Sequence, residues 1–225
     1  MTLLQPRFSY ESIQRKSING KRLYECPDGN AVASVTTILD STKDKTHLFE
    51  WRKRVGEKKA QEITTEAAGR GTRMHKFLEK YIETGEWPEP GTNPYSIQAH
   101  KMAELIRDQA LKDVDEAWGQ EINLFFPQIY AGTTDLVGVY KRNHAIMDYK
   151  QTNKPKKKEW VEDYYLQLVA YAEAHNEVHG TNIREGHIFM CSQDFQYQQF
   201  DLWPDEYDMW RDRWWRRVEQ YYLTN

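Results

Sequence analysis

The stretch from Gly132 to Lys154, GTTDLVGVYKRNHAIMDYKQTNK, constrains the fold more than any other. Two apolar, β-branched runs flank the polar triplet Lys141-Arg142-Asn143, which is the pattern of a tight hairpin. Asp135 lies six residues before that turn and Asp148 five after it, so antiparallel pairing makes the aspartates near cross-strand neighbours. Lys150 follows Asp148 by two residues, which in a strand puts both side chains on one face. Two carboxylates that close repel unless a cation lies between them. A hard divalent ion with oxygen ligands, Mg²⁺ or Mn²⁺, meets that need. The ammonium of Lys150 can then steady a hydroxide nucleophile or the charge of a phosphoryl transition state. Taken alone, the Asp-Tyr-Lys triplet also suits a surface ion pair on a half-exposed strand.

The flanking pattern makes the hairpin part of a larger sheet. EINLFFP (121–127), AGTTDLVGVYK (131–141) and HAIMDYK (144–150) read as three successive strands. Before them the period is helical from Thr46 to about Thr84, with an interruption expected at the Gly69/Gly71 pair. It is helical again from Tyr95 to about Asp113, after the Pro/Gly loop 85–94. AVASVTTIL (31–39) reads as a short strand or a helix entry. A helix from Trp160 to about His179, strands at 185–192 and 196–202, and a last helix from Pro204 to Tyr222 complete the chain. Trp210, Trp214, Val218 and Tyr222 recur at helical spacing in that last helix and form its expected core stripe. The pattern predicts one α/β domain over 1–225. It has a helical part at about 46–113 and a catalytic sheet with flanking helices at about 118–222.

Composition excludes several classes. The 225 residues suffice for one sizeable core. No apolar run approaches the roughly 18–20 residues that cross a bilayer. The first twenty residues carry no signal pattern, so a cytoplasmic protein without a membrane segment is expected. Two cysteines, Cys26 and Cys191, cannot supply a four-cysteine site, so no iron–sulfur cluster is expected. No GxxxxGK[ST] motor motif occurs. A net charge of −3 gives no global attraction to nucleic acid, so a polyanion binder here needs local basic patches and a metal.

Asp135, followed thirteen residues later by the Asp148 of IMDYK, resembles the D…(D/E)xK signature of the PD-(D/E)xK nucleases. GRGTRMHKFLE (69–79) is similar to the Gly-x-x-x-His-x-x-x-Glu helix of the RecB-like exonuclease branch, and QLVAY (167–171) to its Gln-x-x-x-Tyr motif. SVTTIL (34–39) and the C-terminal DMWRDRWWRRVEQYY resemble the mitochondrial genome maintenance exonuclease group or a phage relative. The likeness spans roughly Ser34 to Tyr222. It implies a restriction-endonuclease-like core, a central mixed β-sheet flanked by helices, with an N-terminal helical region. It also implies a metal-dependent DNA exonuclease that prefers single strands or single-stranded ends. Such an enzyme serves replication, recombination or repair, alone or with other proteins of those processes, in the cytoplasm (a host cell's if phage-encoded). By the resemblance, His75, Asp135, Asp148 and the backbone carbonyl of Tyr149 hold the metal. Asp135, Asp148, Lys150 and Gln167 are catalytic, Tyr171 belongs to the DNA contacts, and Glu79 and Glu121 support the site.

Read directly, these residues keep alternatives. His75 and Glu79 share a helix face, which also suits a structural histidine. Gln167 and Tyr171 sit among Leu168, Val169 and Ala170, which suits an ordinary buried helix. Glu121 suits an ion pair or an indirect metal role. For the DNA path, Lys154, Lys156, Lys157 and Lys158 leave directly from the catalytic strand, and Arg70 and Arg73 form a second basic cluster. A solvated loop is the alternative for the lysines. Trp160, Tyr164 and Tyr165 adjoin them as candidates for stacking on unpaired bases. The competing functions are a flap or junction endonuclease of the same fold and an inactive DNA-binding module.

Overall fold

A computed structural model describes residues 3–18, 21–27 and 29–224. Among the described residues eight strands form one mixed sheet: β1 (Gln14–Ile18), β2 (Lys21–Glu25), β3 (Ala31–Ser34), β4 (Val114–Phe126), β5 (Tyr130–Tyr140), β6 (Asn143–Thr152), β7 (Glu185–Ser192) and β8 (Tyr197–Leu202). The order is β1-β2-β3-β5-β6-β7-β8, with β4 also paired to β5. Helices α1 (Val35–Thr42), α5 (Glu162–His179) and α6 (Pro204–Thr224) cover one face, packing on Val137, Ile146 and Ile188. Helices α3 (Glu57–Thr84) and α4 (Pro94–Gln109) cover the other, packing on Leu136, Met147 and Phe189. Neighbouring residues of β5 and β6 thus alternate between two cores, as a sheet covered on both faces requires. Among the described residues, no helix is long and apolar enough to cross a membrane.

The hairpin turns where its sequence indicates. Tyr140 pairs with Asn143, leaving Lys141 (φ 47°) and Arg142 (φ 71°) as a two-residue loop in the left-handed region. Such a conformation costs a side-chain-bearing residue about 1–2 kcal/mol. Hydrogen bonds from Lys141 N to the Asp113 carbonyl (3.0 Å) and from Arg142 N to Asp115 Oδ2 (2.7 Å) hold the loop there. The resulting register pairs Leu136 with Met147. Asp135 and Asp148 are therefore the next positions out, where the ladder opens.

That opening is a property of the topology. β4 pairs β5 along its length, whereas on the other edge β3 takes only Tyr130 and Ala131, and β6 begins at Leu136. Residues 132–135 face the gap between a parallel and an antiparallel neighbour. The end of β3 is fixed by Ser34, whose Oγ accepts from Thr37 N (3.0 Å) as the N-cap of α1. A cap of this kind contributes about 1 kcal/mol. AVASVTTIL is thus strand and helix in succession.

Several boundaries differ from expectation. The helical interruption falls at Gly56 (φ 84°), between α2 (Thr46–Val55) and α3, and α3 runs unbroken through Gly69 and Gly71. Gly71 serves close approach instead, since a Cβ there would lie 3.2 Å from Gln151 Cγ on β6. α4 ends at Gln109, and β4 starts at Val114, seven residues before the predicted 121. Register shifts at 114–116 and 117–119 break the alternation that would have revealed its first half. The polar N-terminal segment contributes β1 and β2. In α6 the buried stripe is Trp210, Trp214, Val218 and Tyr221, while Tyr222 is exposed.

Candidate active site

Three side chains from three elements meet at the gap. The ligand atoms of His75 (α3), Glu121 (β4) and Asp135 (β5) lie within 4.8 Å of one another. Glu121 reaches the group because it sits at φ 48°, a distortion that breaks its pairing opposite Asp135. His75 is oriented through Nε2, which donates to the Tyr149 carbonyl at 2.9 Å. Its Nδ1 then faces Asp135 Oδ1 (3.6 Å) and Glu121 Oε1 (3.9 Å). Asp135 is oriented in turn by Tyr149 N, which donates to its Oδ2 at 2.7 Å. The backbone of Tyr149 therefore aligns both side chains, as outer partners of metal ligands commonly do. The carbonyl expected as a metal ligand is here the acceptor of the His75 N–H.

The electrostatics call for a cation. Burial disfavours a charged His75, yet Asp135 and Glu121 overcome this and raise its pKa to about 9. Glu79, one turn further along α3, is raised by burial and then by Glu121. A proton on His75 answers the carboxylates where a divalent ion would answer them more fully. One imidazole and two carboxylates are an oxygen-rich set that suits Mg²⁺ or Mn²⁺. Glu121, expected only in support, is thus one of the three converging groups. Asp148 is not, since its carboxylate bonds to Lys150 Nζ.

Asp148 and Lys150 do share one face of β6, the face that α5 covers. Asp148 is 2% exposed; burial raises its pKa to about 6, Lys150 opposes that rise and Asp135 adds to it. Burial opposes the Lys150 charge, but Asp148 and Asp135 raise it overall. The Lys150 ammonium also lies 5.3 Å from the centre of the Tyr164 ring on α5. One turn on, Gln167 Nε2 donates to Tyr171 Oη (3.5 Å). Tyr171 is buried, and a Cβ at Gly132 would lie 2.8 Å from its hydroxyl. As a DNA contact Tyr171 is corrected to a core residue whose hydroxyl sits under the β5 gap.

The predicted basic patches divide. Arg70 is 3% exposed and bonds Gln151 Oε1 (3.0 Å) and Asn153 Oδ1, so it locks α3 to the end of β6 and is not offered to phosphate. Arg73 is half-buried, and two residues from His75 it points about 160° around the helix from it. It lies over the Tyr95 ring (5.6 Å) in a cavity of about 640 Å³, with Lys58, Gln61, Glu62 and Thr65. That cavity is on the far side of α3 from the carboxylates. In the lysine loop, Gln198 clamps the Lys156 backbone at N (2.7 Å) and O (2.9 Å). Lys158 reaches Glu206 (3.5 Å), and Lys157 lies over the exposed Trp160 (5.4 Å). Arg217 bonds the Leu39 carbonyl (2.7 Å) and Asp163 (3.5 Å), joining α6 to α1 and α5.

Three carboxylate-bearing strands, a lysine on the last and a histidine from a covering helix make up the site, and comparison with known proteins finds similarity to proteins named as exonucleases. The chain is 29% identical over 164 residues to human Mitochondrial genome maintenance exonuclease 1, covering 68% of this chain and 46% of that protein. It is 28% identical over 162 residues to the mouse protein of that name, covering 65% and 45%. The chain thus spans about half the length of the curated relatives it matches. A crystal structure of a protein from Eubacterium rectale assigned as an exonuclease is 15% identical, with a TM-score of 0.46 over 69% of this chain and 68% of that one. No protein-family model matches.

Proposed function

We propose that the protein is a metal-dependent deoxyribonuclease, an exonuclease that hydrolyses phosphodiester bonds and prefers single-stranded DNA or single-stranded ends. The observation that carries this reading is the convergence of His75, Glu121 and Asp135 beside the Asp148–Lys150 pair. In this reading His75, Glu121 and Asp135 hold a divalent ion, with Asp148 adjoining. Such an ion, when bound, polarises the phosphate and lowers the pKa of water. The chain's own groups do the rest. Tyr149 fixes the two ligands it touches, and burial strengthens every charge in the gap. Lys150 places an ammonium where negative charge develops on the phosphate oxygens.

Single-strand preference is read from the helices. α2 has no buried residue, Leu48 and Phe49 stay exposed, and the part of α3 before Arg70 buries only Ala60. We read this unburied helical pair as a wall along the DNA path that admits a threaded strand and excludes a rigid duplex. Lys154, Lys156, Lys157 and Lys158 track the backbone and Trp160 offers a stacking face. The whole is one nuclease domain acting in the cytoplasm in DNA replication, recombination or repair. The test uses end-labelled linear and covalently closed circular single strands with Mg²⁺ or Mn²⁺. Shortening of linear strands with circles resisted is expected; equal cleavage of circles favours a flap or structure-specific endonuclease of the same fold.

A further inference from the structure

The Asp148–Lys150 pair poses a problem that the rest of the fold answers. A lysine bound to a buried carboxylate is neutralised by it, and its field on a substrate phosphate is correspondingly reduced. A second carboxylate would hold the ammonium in place but weaken that field further. An aromatic face attracts an ammonium through its quadrupole without bringing a net negative charge. We infer that Tyr164, by its ring 5.3 Å from Lys150 Nζ, is a positioning residue that keeps the ammonium on the substrate side of the sheet. The inference rests on the nuclease reading of the same site.

The setting of Tyr164 supports the role. It lies three residues before Gln167 and seven before Tyr171, so it belongs to the same row of α5 that faces the gap. The start of α5 is anchored immediately before it. Val161 is fully buried, and Asp163 pairs with Lys43 of the α1–α2 connection and with Arg217 of α6. The Tyr164 amide donates to the Val161 carbonyl at 3.0 Å. The ring is thereby fixed from α5 while Lys150 approaches from β6. It packs half-buried against the apolar cluster on this face, so the contact is partly shielded from water, and cation–π attraction strengthens as water is removed.

The test separates the ring from the hydroxyl and from simple packing. Tyr164→Phe keeps the ring and should retain the parent turnover. Tyr164→Leu should lower kcat by about 3- to 30-fold, with KM and DNA affinity little changed. In a Lys150→Ala background, Tyr164→Leu should add almost nothing, because the ring acts through the ammonium. A structural role would instead lower activity equally in both backgrounds. NMR supplies a readout independent of cleavage: the Lys150 ε-methylene protons should show a ring-current shift in the parent and in Tyr164→Phe that vanishes in Tyr164→Leu. Absence of that shift in the parent overturns the inference even if no DNA is cleaved. So does parental kcat in Tyr164→Leu, a loss in Tyr164→Phe as large as in Tyr164→Leu, or an undiminished effect without Lys150. If the shift is present and the parent cleaves no DNA, the positioning stands and the nuclease reading falls.

Discussion

Lys150 sits between a full charge and a ring, on the strand face shared with Asp148. In the proposed mechanism, truncating it removes the ammonium that meets developing phosphate charge, so Lys150→Ala should slow turnover of bound DNA by about 10²-fold or more. DNA affinity should fall far less, because one phosphate contact among several is lost. Single-turnover cleavage beside a binding titration separates the two; collapsed affinity with normal turnover would make Lys150 a binding residue. The two aspartates and this lysine were legible in the sequence, because a period of two and a tight turn suffice to bring them together. Glu121 was legible only as a supporting acid, since its approach to His75 depends on a backbone distortion at φ 48°. Arg70 was misread for a similar reason. Its partners Gln151 and Asn153 are more than eighty positions away in sequence, and only packing of α3 on β6 buries it.

Among the elements, the β4–β5 ladder carries the site, because it sets Glu121 opposite Asp135. At Gly138 the strands come close, since a Cβ there would lie 2.0 Å from the Glu116 carbonyl oxygen. That neighbour is backbone, held between two register shifts, and cannot rotate away. Gly138→Ala should destabilise the fold by about 3 kcal/mol, the upper range for overpacking. Urea unfolding measures this, and a loss below about 1 kcal/mol would show that β4 can yield. The same ladder shows why strand lengths were only partly legible. Regular alternation marked 121–127, whereas the register shifts hid 114–120. Gly69 and Gly71 suggested a helix break because glycine disfavours helices locally, but tertiary contact overrode that preference.

For the whole molecule, the acid limit of stability is set partly away from the active site. The N-terminal segment lays Phe8 and Tyr10 against His175 of α5, together with Trp118 and His179. His175 is fully buried, with Tyr10 Oη 3.2 Å from Nε2 and Thr181 Oγ1 2.8 Å from Nδ1. Burial, then the neighbouring His179 and His144, push its pKa down to about 3. Above the ordinary histidine value of about 6.5 neither the folded nor the unfolded chain protonates it. Below that value the unfolded chain takes up a proton that the folded one refuses. Stability should therefore fall as the pH drops from about 6.5 towards 3, by up to about 1.4 kcal/mol per pH unit from this group. His175→Gln should lower stability at pH 7 yet flatten the fall in Tm between pH 7 and 5. An unchanged slope would move the acid sensitivity elsewhere.

The proposed function makes the gap between β3 and β6 a metal-dependent hydrolytic centre. Cleavage of end-labelled single-stranded DNA in Mg²⁺ or Mn²⁺, with and without EDTA, tests it most directly when parent and Asp135→Asn are run side by side. The parent should cleave, lose all cleavage in chelator and regain it on adding metal. Asp135→Asn should remain folded and inactive throughout. Full parental activity in EDTA, or undiminished activity of Asp135→Asn, would rule out a metal-dependent centre there.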